Sequence, residues 1–335
     1  MEKKKNIAIV AGGYSSEKVV SLKSARGIYS FLDKEKYTAY IAVVERDAWY
    51  VILPGGEHAA IDRHDFSFSE AGGVTHFDFA YLTIHGTPGE DGLLQGYFEL
   101  IGMPYSSCNP LVSALTFNKY ICNTWLRRFG IRVADSIRLR KGESVEACDA
   151  VSRLGLPLFV KPNDGGSSFG VTKVKTPEAL QPAIEKAFAE GDEVLMERCI
   201  TGTEITCGCY KVEGREVVFP LTEVVTENEF FDFDAKYNGQ SDEITPARIP
   251  AEWTERIQRT TLTLYGILGA RGLIRVDYIL PPDGEPVLLE INTVPGMTGA
   301  SFIPQQVRAA GLDIKNVMTD IIENELKSYG KRKCY

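Results

Sequence analysis

The chain has 335 residues, 44% hydrophobic and 24% charged, an ordinary balance for a globular protein and enough length for two or three domains around one site. Its 37 basic and 45 acidic residues leave a net charge of −8, which argues against a broad nucleic-acid-binding surface but not against a local basic pocket. No run of eighteen apolar residues and no signal peptide are visible, and the start MEKKKNIAIVAGG goes straight from charge into a strand, so a cytoplasmic chain without membrane association is expected. The seven cysteines form no C-x-x-C pair; Cys207 and Cys209 share a face of one strand, open to metal binding but read as reduced, half-buried thiols.

In chain order, NIAIV is a buried strand, followed by Gly12-Gly13 and a helical pattern from about Glu17 to Leu32, with Leu22, Ala25, Ile28, Tyr29 and Leu32 as its apolar stripe. TAYIAVV and DFAYLTI are further strands, and His58, His64 and His76, in or near a Gly/Asp-rich stretch, read as solvated loop residues. HGTPGEDG is a turn-rich loop carrying His85 and Glu90, and LLQGYFELIG is a helix stopped by Gly102 and Pro104. This alternation predicts a parallel, Rossmann-like α/β domain over residues 1–107.

A long helix is expected from roughly Val112 to Phe129, then an α+β unit: strand VADSIRL, helix VEACDAVSRLG, strand LPLFVKP, a glycine turn and strand GVTKV. Thr176-Pro177 caps a helix running to Gly191, and EVLMERCI closes a central domain at 108–200. From 201 to 335 the pattern is mostly antiparallel: ITCGCYKV and EVVFPLTEVV flank Glu213-Gly214, and helix 251–269, a hairpin and C-terminal helices follow. Between them TENEFFDFDAKYNGQSDEITPARIP has no periodicity, the mark of a lid or binding loop.

Chemistry concentrates in a few places. VKPNDGGSSFG has the glycines, serines and lysine of a phosphate cradle, but Lys161 precedes the glycines, unlike a P-loop, and the turn joins two strands. A glycine turn of this kind can fold over phosphates as a flexible lid. Folding LIRVDYIL and VLLEINT about Asp283-Gly284 sets Asp277 opposite Glu290 and Arg275 opposite Asn292, all on one face, with Val276, Tyr278, Leu289 and Ile291 on the other. Two opposed carboxylates beside an amide oxygen suit magnesium completed by substrate phosphates; the alternative is a solvated polar face with a salt bridge to Arg275. Lys119, Lys236, Glu197, Glu204 and His85 say little singly. VPGMTGASF, next to Asn292, offers backbone N–H groups for an oxyanion or is a plain turn.

The segments AGGYSSEKVVSLKSA, HGTPGEDGLLQGYFELIGMPY, SALTFNK, VKPNDGGSSFG, MERCITGTE, FFDFDAKY, TPA, RVD and EINTVPGMTGAS, in this order, resemble the D-alanine–D-alanine ligases of the ATP-grasp superfamily over essentially the whole chain. The resemblance implies an ATP-grasp fold in which an N-terminal α/β domain precedes central and C-terminal α+β domains, with ATP between the last two. It implies phosphorylation of a first D-alanine by ATP and attack on the acyl phosphate by the amine of a second, for cell-wall precursor synthesis. By position, Lys119, Lys161 and Lys236 would meet the ATP phosphates, and Glu197, the backbone of Arg198 and Ile200, and Glu204 would hold adenine and ribose. Asp277, Glu290 and Asn292 match the Mg2+ (or Mn2+) ligands. Glu17 would pair with the first D-alanine, with His85 nearby; Arg275 and the Gly296 N–H would stabilise the tetrahedral intermediate; Ser301 and Phe302 would take the second carboxylate. Ser167, Tyr237 and Glu17 resemble the triad that closes the lid. The retained AKY motif favours an amine acceptor over D-lactate, with D-serine the other alternative, and a homodimer is typical of the family. Departures are Gly165, where many members have an acid, and Asn118, where aspartate is usual.

Overall fold

The computed structural model describes residues 3–15, 17–166, 168–226 and 241–332. Three separate sheets follow one another along the chain. In the first, β1 (Lys5–Gly12) lies between β2 (Tyr37–Val44) and β7 (Phe79–Leu82), parallel to both. It is buried on both faces, which is why NIAIVAG reads as a continuous apolar run. Helix α1 (Lys18–Phe31) covers it with Ala25 and Ile28, whereas Tyr29 lies at the flank, 44% exposed and covered by the Lys34 ammonium.

The segment read as parallel sheet plus loop departs from expectation. After β2 the chain makes an antiparallel meander of β3 (Trp49–Ile52), β4 (His58–Asp62), β5 (Ser67–Glu70) and β6 (Gly73–Thr75), so the sheet is mixed and His58 lies on a strand, stacked on Tyr50. These strands are three to five residues long with polar outer positions, so their alternation is too brief to register. Their inner positions Val51, Ile61 and Phe68, with Phe66 from the turn between β4 and β5, join Phe98 of α2 (Leu93–Ile101) in one core. Gly102, in the left-handed region at φ +75, ends α2 as expected.

The long helix expected over 112–129 is two: α3 (Pro110–Phe117) and α4 (Lys119–Arg127), broken at Asn118. Asn118 is extended (φ −85, ψ 96), its side chain accepts the Ile121 N–H at 3.0 Å, and its backbone bridges to Asp164. The second sheet, in the order β10-β9-β11-β8, combines β8 (Ser136–Arg140), β9 (Leu158–Pro162), β10 (Thr172–Val174) and β11 (Glu193–Arg198), antiparallel throughout and packed on α6 (Leu180–Phe188), with α5 (Ala147–Leu154) in the same core. Thr176 makes no side-chain cap; residues 177–179 form a single 3-10 turn before α6.

The third sheet holds β12 (Thr203–Val212), β13 (Arg215–Val218), β14 (Thr222–Thr226), β15 (Ser241–Ile244), β16 (Ile274–Leu280) and β17 (Val287–Asn292). Its order is β15-β14-β12-β16-β17, with β13 beside β12. Helices α7 (Ala251–Leu268), α8 (Phe302–Ala309) and α9 (Ile314–Arg332) pack against β12. Cys207 and Cys209 are fully buried rather than half-buried, sharing a core with Cys108, Cys122 and Tyr278, and burial pushes the Cys207 thiol up to about 12. Among the described residues all cysteines are free thiols, and no group of three or more His, Cys, Asp or Glu side chains could hold a metal.

Candidate active site

The β16–β17 ribbon pairs Arg275 with Asn292, Val276 with Ile291 and Asp277 with Glu290. That is the expected register, and it aligns the four polar side chains on one face. Beyond Asp277 the ladder shifts, so that Tyr278 faces Leu288 rather than Leu289. The extra residue is a β-bulge. It corrects the expected apolar face: Leu288 takes the core position at 1% exposure, and half-buried Leu289 turns to the cleft.

Arg275 grips Asp277 with two bonds, Nε to Oδ1 at 2.9 Å and a terminal nitrogen to Oδ2 at 2.7 Å, while the Asn292 amide donates to Oδ2 at 3.0 Å. The guanidinium also lies over the Phe302 ring, 5.4 Å from its centre. Lys119 Nζ is 3.5 Å from Glu290 and donates to the Gly165 carbonyl at 2.5 Å, so one ammonium links the second acid to the glycine loop. Opposed acids are tolerable here because Arg275 and Lys119 flank them.

A cavity of about 560 Å³ lies between the second and third sheets. This is the size and setting of a small-molecule site. Lys161 and Glu197, diagonal neighbours on β9 and β11, form a buried pair at 2.7 Å. Ile200, Glu204 and Leu289 complete the walls. The Arg198 N–H is committed to the Asp135 carbonyl at 2.9 Å, and its exposed side chain reaches the Arg153 carbonyl at 3.0 Å. Buried Asn163 braces the start of α4 against β11: its side-chain oxygen accepts the Tyr120 N–H at 2.9 Å and its amide donates to Glu193 at 2.8 Å. In the loop beyond it, Gly165 takes φ +134, which suits glycine.

A second cavity, about 670 Å³, brings together Glu17, His85, Arg275, Asn292, Gly296 and Ser301. Gly166, Glu204 and Glu290 line both cavities, which therefore adjoin at one member of the acid pair. Helix α1 reaches this place because Gly27 lies against the 297 turn, where an added Cβ would come 2.2 Å from the Met297 carbonyl. Glu17 thus stands at the N-terminus of α1, and a Cβ on Gly166 would sit 3.0 Å from its carboxylate. Ser301 is the N-cap residue of α8, its Oγ accepting the Thr298 N–H at 3.0 Å. The start of a helix offers N–H groups to a carboxylate. Gln306 pins α8 to the sheet, accepting the Gly208 N–H at 2.9 Å and donating to the Thr206 carbonyl at 3.0 Å.

Burial lowers the pKa of His85, with Arg275 acting the same way and Glu17 against, and its Nε2 is buried with no hydrogen-bond partner. Five residues on, burial together with the charge of Glu17 pushes the Glu90 carboxyl up to about 8, against the Gly86 N–H that donates to it at 2.7 Å. Two carboxylates in this cavity were not singled out as site residues from sequence, Glu90 and Glu243. Glu90 shares the turn-rich loop of His85, which is a usable signal; Glu243 lies inside the segment read as an aperiodic lid or binding loop, where the structure instead places strand β15, paired with β14. Ser167, Lys236 and Tyr237 lie outside the described residues.

A cleft between two antiparallel sheets, adjoining a second cavity at Glu290, is the arrangement expected of the ATP-grasp ligases, the class to which the fold belongs. Family models for the D-ala D-ala ligase N-terminus and C-terminus match residues 6–108 and 125–323. The chain belongs to the D-alanine–D-alanine ligase family. It is 75% identical over 325 residues to the D-alanine--D-alanine ligase of Parabacteroides distasonis, covering 97% of this chain and 98% of that one. Among solved structures it is similar to the VanG D-Ala:D-Ser ligase of Enterococcus faecalis (33% identity, TM-score 0.86, 96% and 100% of the two chains). It is also similar to the D-alanine--D-alanine ligase of Bacillus anthracis complexed with ATP (32% identity, TM-score 0.78, 98% and 99%).

Proposed function

We propose that the chain joins two molecules of D-alanine into D-alanyl-D-alanine, a peptidoglycan precursor, at the expense of ATP. The observation that carries this is that the two cavities share Glu290, whose strand partner Asp277 lines the second, so that a nucleotide's terminal phosphate and a substrate carboxylate would come together there. ATP occupies the first cavity, its phosphates near Lys119 and Lys161, with Lys236 reaching them from the loop and Glu197, Arg198, Ile200 and Glu204 around the nucleoside. A carboxylate oxygen of the first D-alanine, its ammonium held by Glu17 with His85 alongside, attacks the terminal phosphorus and ADP leaves. The amine of the second D-alanine, its carboxylate on Ser301 and the Phe302 N–H, adds to the acyl carbonyl. The negative oxygen that develops faces Arg275 and the Gly296 N–H. Loss of phosphate and a proton from nitrogen then completes the amide. Ser167 and Tyr237 belong with Glu17 to the closure of the loop.

Asp277, Glu290 and Asn292 fit a magnesium or manganese ion: two carboxylates and an amide oxygen are a hard donor set with room for phosphate oxygens. When bound, such an ion neutralises charge on the phosphates. The three separate sheets support reading residues 1–107, 108–200 and 201–335 as three domains. Among the described residues no helix is long and apolar enough to cross a membrane. We place the enzyme in the cytoplasm and expect a homodimer.

The test is phosphate release with ATP, magnesium and D-alanine alone, set against D-alanine mixed with D-serine or D-lactate. Dipeptide from D-alanine alone supports the reading; release only when D-serine or D-lactate is added overturns it.

A further inference from the structure

Strand β15 continues a row of side chains across the cleft face of the third sheet. Glu204 pairs with Val224, and Val224 with Glu243, so the three share one face. Strand spacing of about 4.8 Å puts Glu243 two strands outward from Glu204. The row spans both cavities: Glu204 lines each, Val224 lines the nucleotide side, and Glu243 lines the substrate side with Arg275, Ser301 and Phe302.

Glu243 is held in a fixed position. The side-chain amide of Gln305 donates to its Oε2 at 2.5 Å and to the Ala300 carbonyl at 2.7 Å. Gln305 belongs to the first turn of α8, its own N–H bonded to the Ser301 carbonyl at 3.2 Å. One amide thus ties a carboxylate to the turn that ends in Ser301. Of the remaining acids of the cavity, Glu204 stands at its border with the first cavity, and Glu17, Glu90, Asp277 and Glu290 belong to the first-substrate and metal side. Of its cations, Arg275 is engaged with Asp277, and Lys23 and Arg26 stand on α1 across the cavity.

We propose that Glu243 is a specificity-determining residue of the subsite for the second amino acid. Its carboxylate faces the incoming ammonium and favours an amine acceptor over a hydroxy acid, which carries no positive charge to attract. Through Gln305 the same carboxylate orients the Ser301 turn that receives the acceptor's own carboxylate. The inference rests on the reading that Ser301 and Phe302 bind the second D-alanine.

Two variants separate charge from tether. Glu243→Gln keeps an oxygen to accept from Gln305 and removes the charge; Glu243→Ala removes both. Steady-state kinetics on the full chain would resolve the two D-alanine sites and ATP, and product analysis in D-alanine/D-lactate mixtures would give the ratio of dipeptide to depsipeptide. For Glu243→Gln the expected result is an acceptor-site KM raised about tenfold and a product ratio lowered about tenfold, as for losing one contact to a charged group. KM for ATP and the thermal midpoint should hold. Glu243→Ala should raise the acceptor KM further. An unchanged ratio in Glu243→Gln, or an equal rise in all three KM values, overturns the proposal. Absence of dipeptide from the wild-type enzyme would instead overturn the functional reading beneath it.

Discussion

The two cavities share three residues yet follow different electrostatic plans. On the nucleotide side the charges are matched within the chain: Lys161 with Glu197, Lys119 with Glu290, and Arg248 with Glu223 at 2.9 Å. On the substrate side six acids, Glu17, Glu90, Glu204, Glu243, Asp277 and Glu290, line the cavity with three cations, Lys23, Arg26 and Arg275. Burial, and after it the charge of Glu17, raises the pKa of the Glu90 carboxyl there. The first cavity therefore balances these charges within the fold, whereas the second carries more acids than cations.

That contrast can be broken at three places, the first with the largest effect. Replacing Arg275 with alanine should lower the turnover of dipeptide by about 10³-fold, the scale of a lost oxyanion donor, while ATP binding measured by calorimetry is largely kept. Near-normal turnover would remove Arg275 from the chemistry. The second place is the matched cleft. Lys161→Ala strands a carboxylate at Glu197, 5% exposed, and should destabilise the fold by about 3–5 kcal/mol in chemical denaturation. Lys161→Met combined with Glu197→Leu should recover most of that loss, and a double variant as unstable as the single one would show that the pair is not compensating itself.

The smallest effect concerns pH. A carboxyl held near 8 in the folded chain, above its ordinary value of 4.5, keeps a proton that the unfolded chain has released. Its contribution to stability is present below about 4.5 and is lost as pH rises to about 8. The wild-type denaturation midpoint should fall across this window relative to Glu90→Gln, in which no such group titrates. Parallel profiles for the two proteins would mean that Glu90 is ionised throughout.

The legible parts were those where side-chain alternation alone decides the outcome. Arg275, Asp277, Glu290 and Asn292 fall on one face of a ribbon because strand residues alternate, and a turn centre is enough to set their register. Buried β1 and the glycine that ends α2 were equally plain. What escaped depended on contacts from elsewhere in the chain. The break at Asn118 reflects a bridge to Asp164, 46 residues away in sequence. The β3–β6 meander is held by aromatic packing that includes Phe66 against Phe98 at 5.0 Å, invisible in strands so short. Glu243 faces the cavity only because β15 pairs with β14. Sequence adjacency showed Glu90 beside His85, but not the burial that raises its pKa.

The bulge beyond Asp277 gives the ribbon a clutch. With one unpaired residue between the turn and the acid pair, changes of length in the 281–286 connection can be taken up on the turn side without rotating Glu290 out of place. Losing Leu289 would straighten the ladder, leaving the two acids opposed but stripping an apolar contact from the floor of the nucleotide cleft.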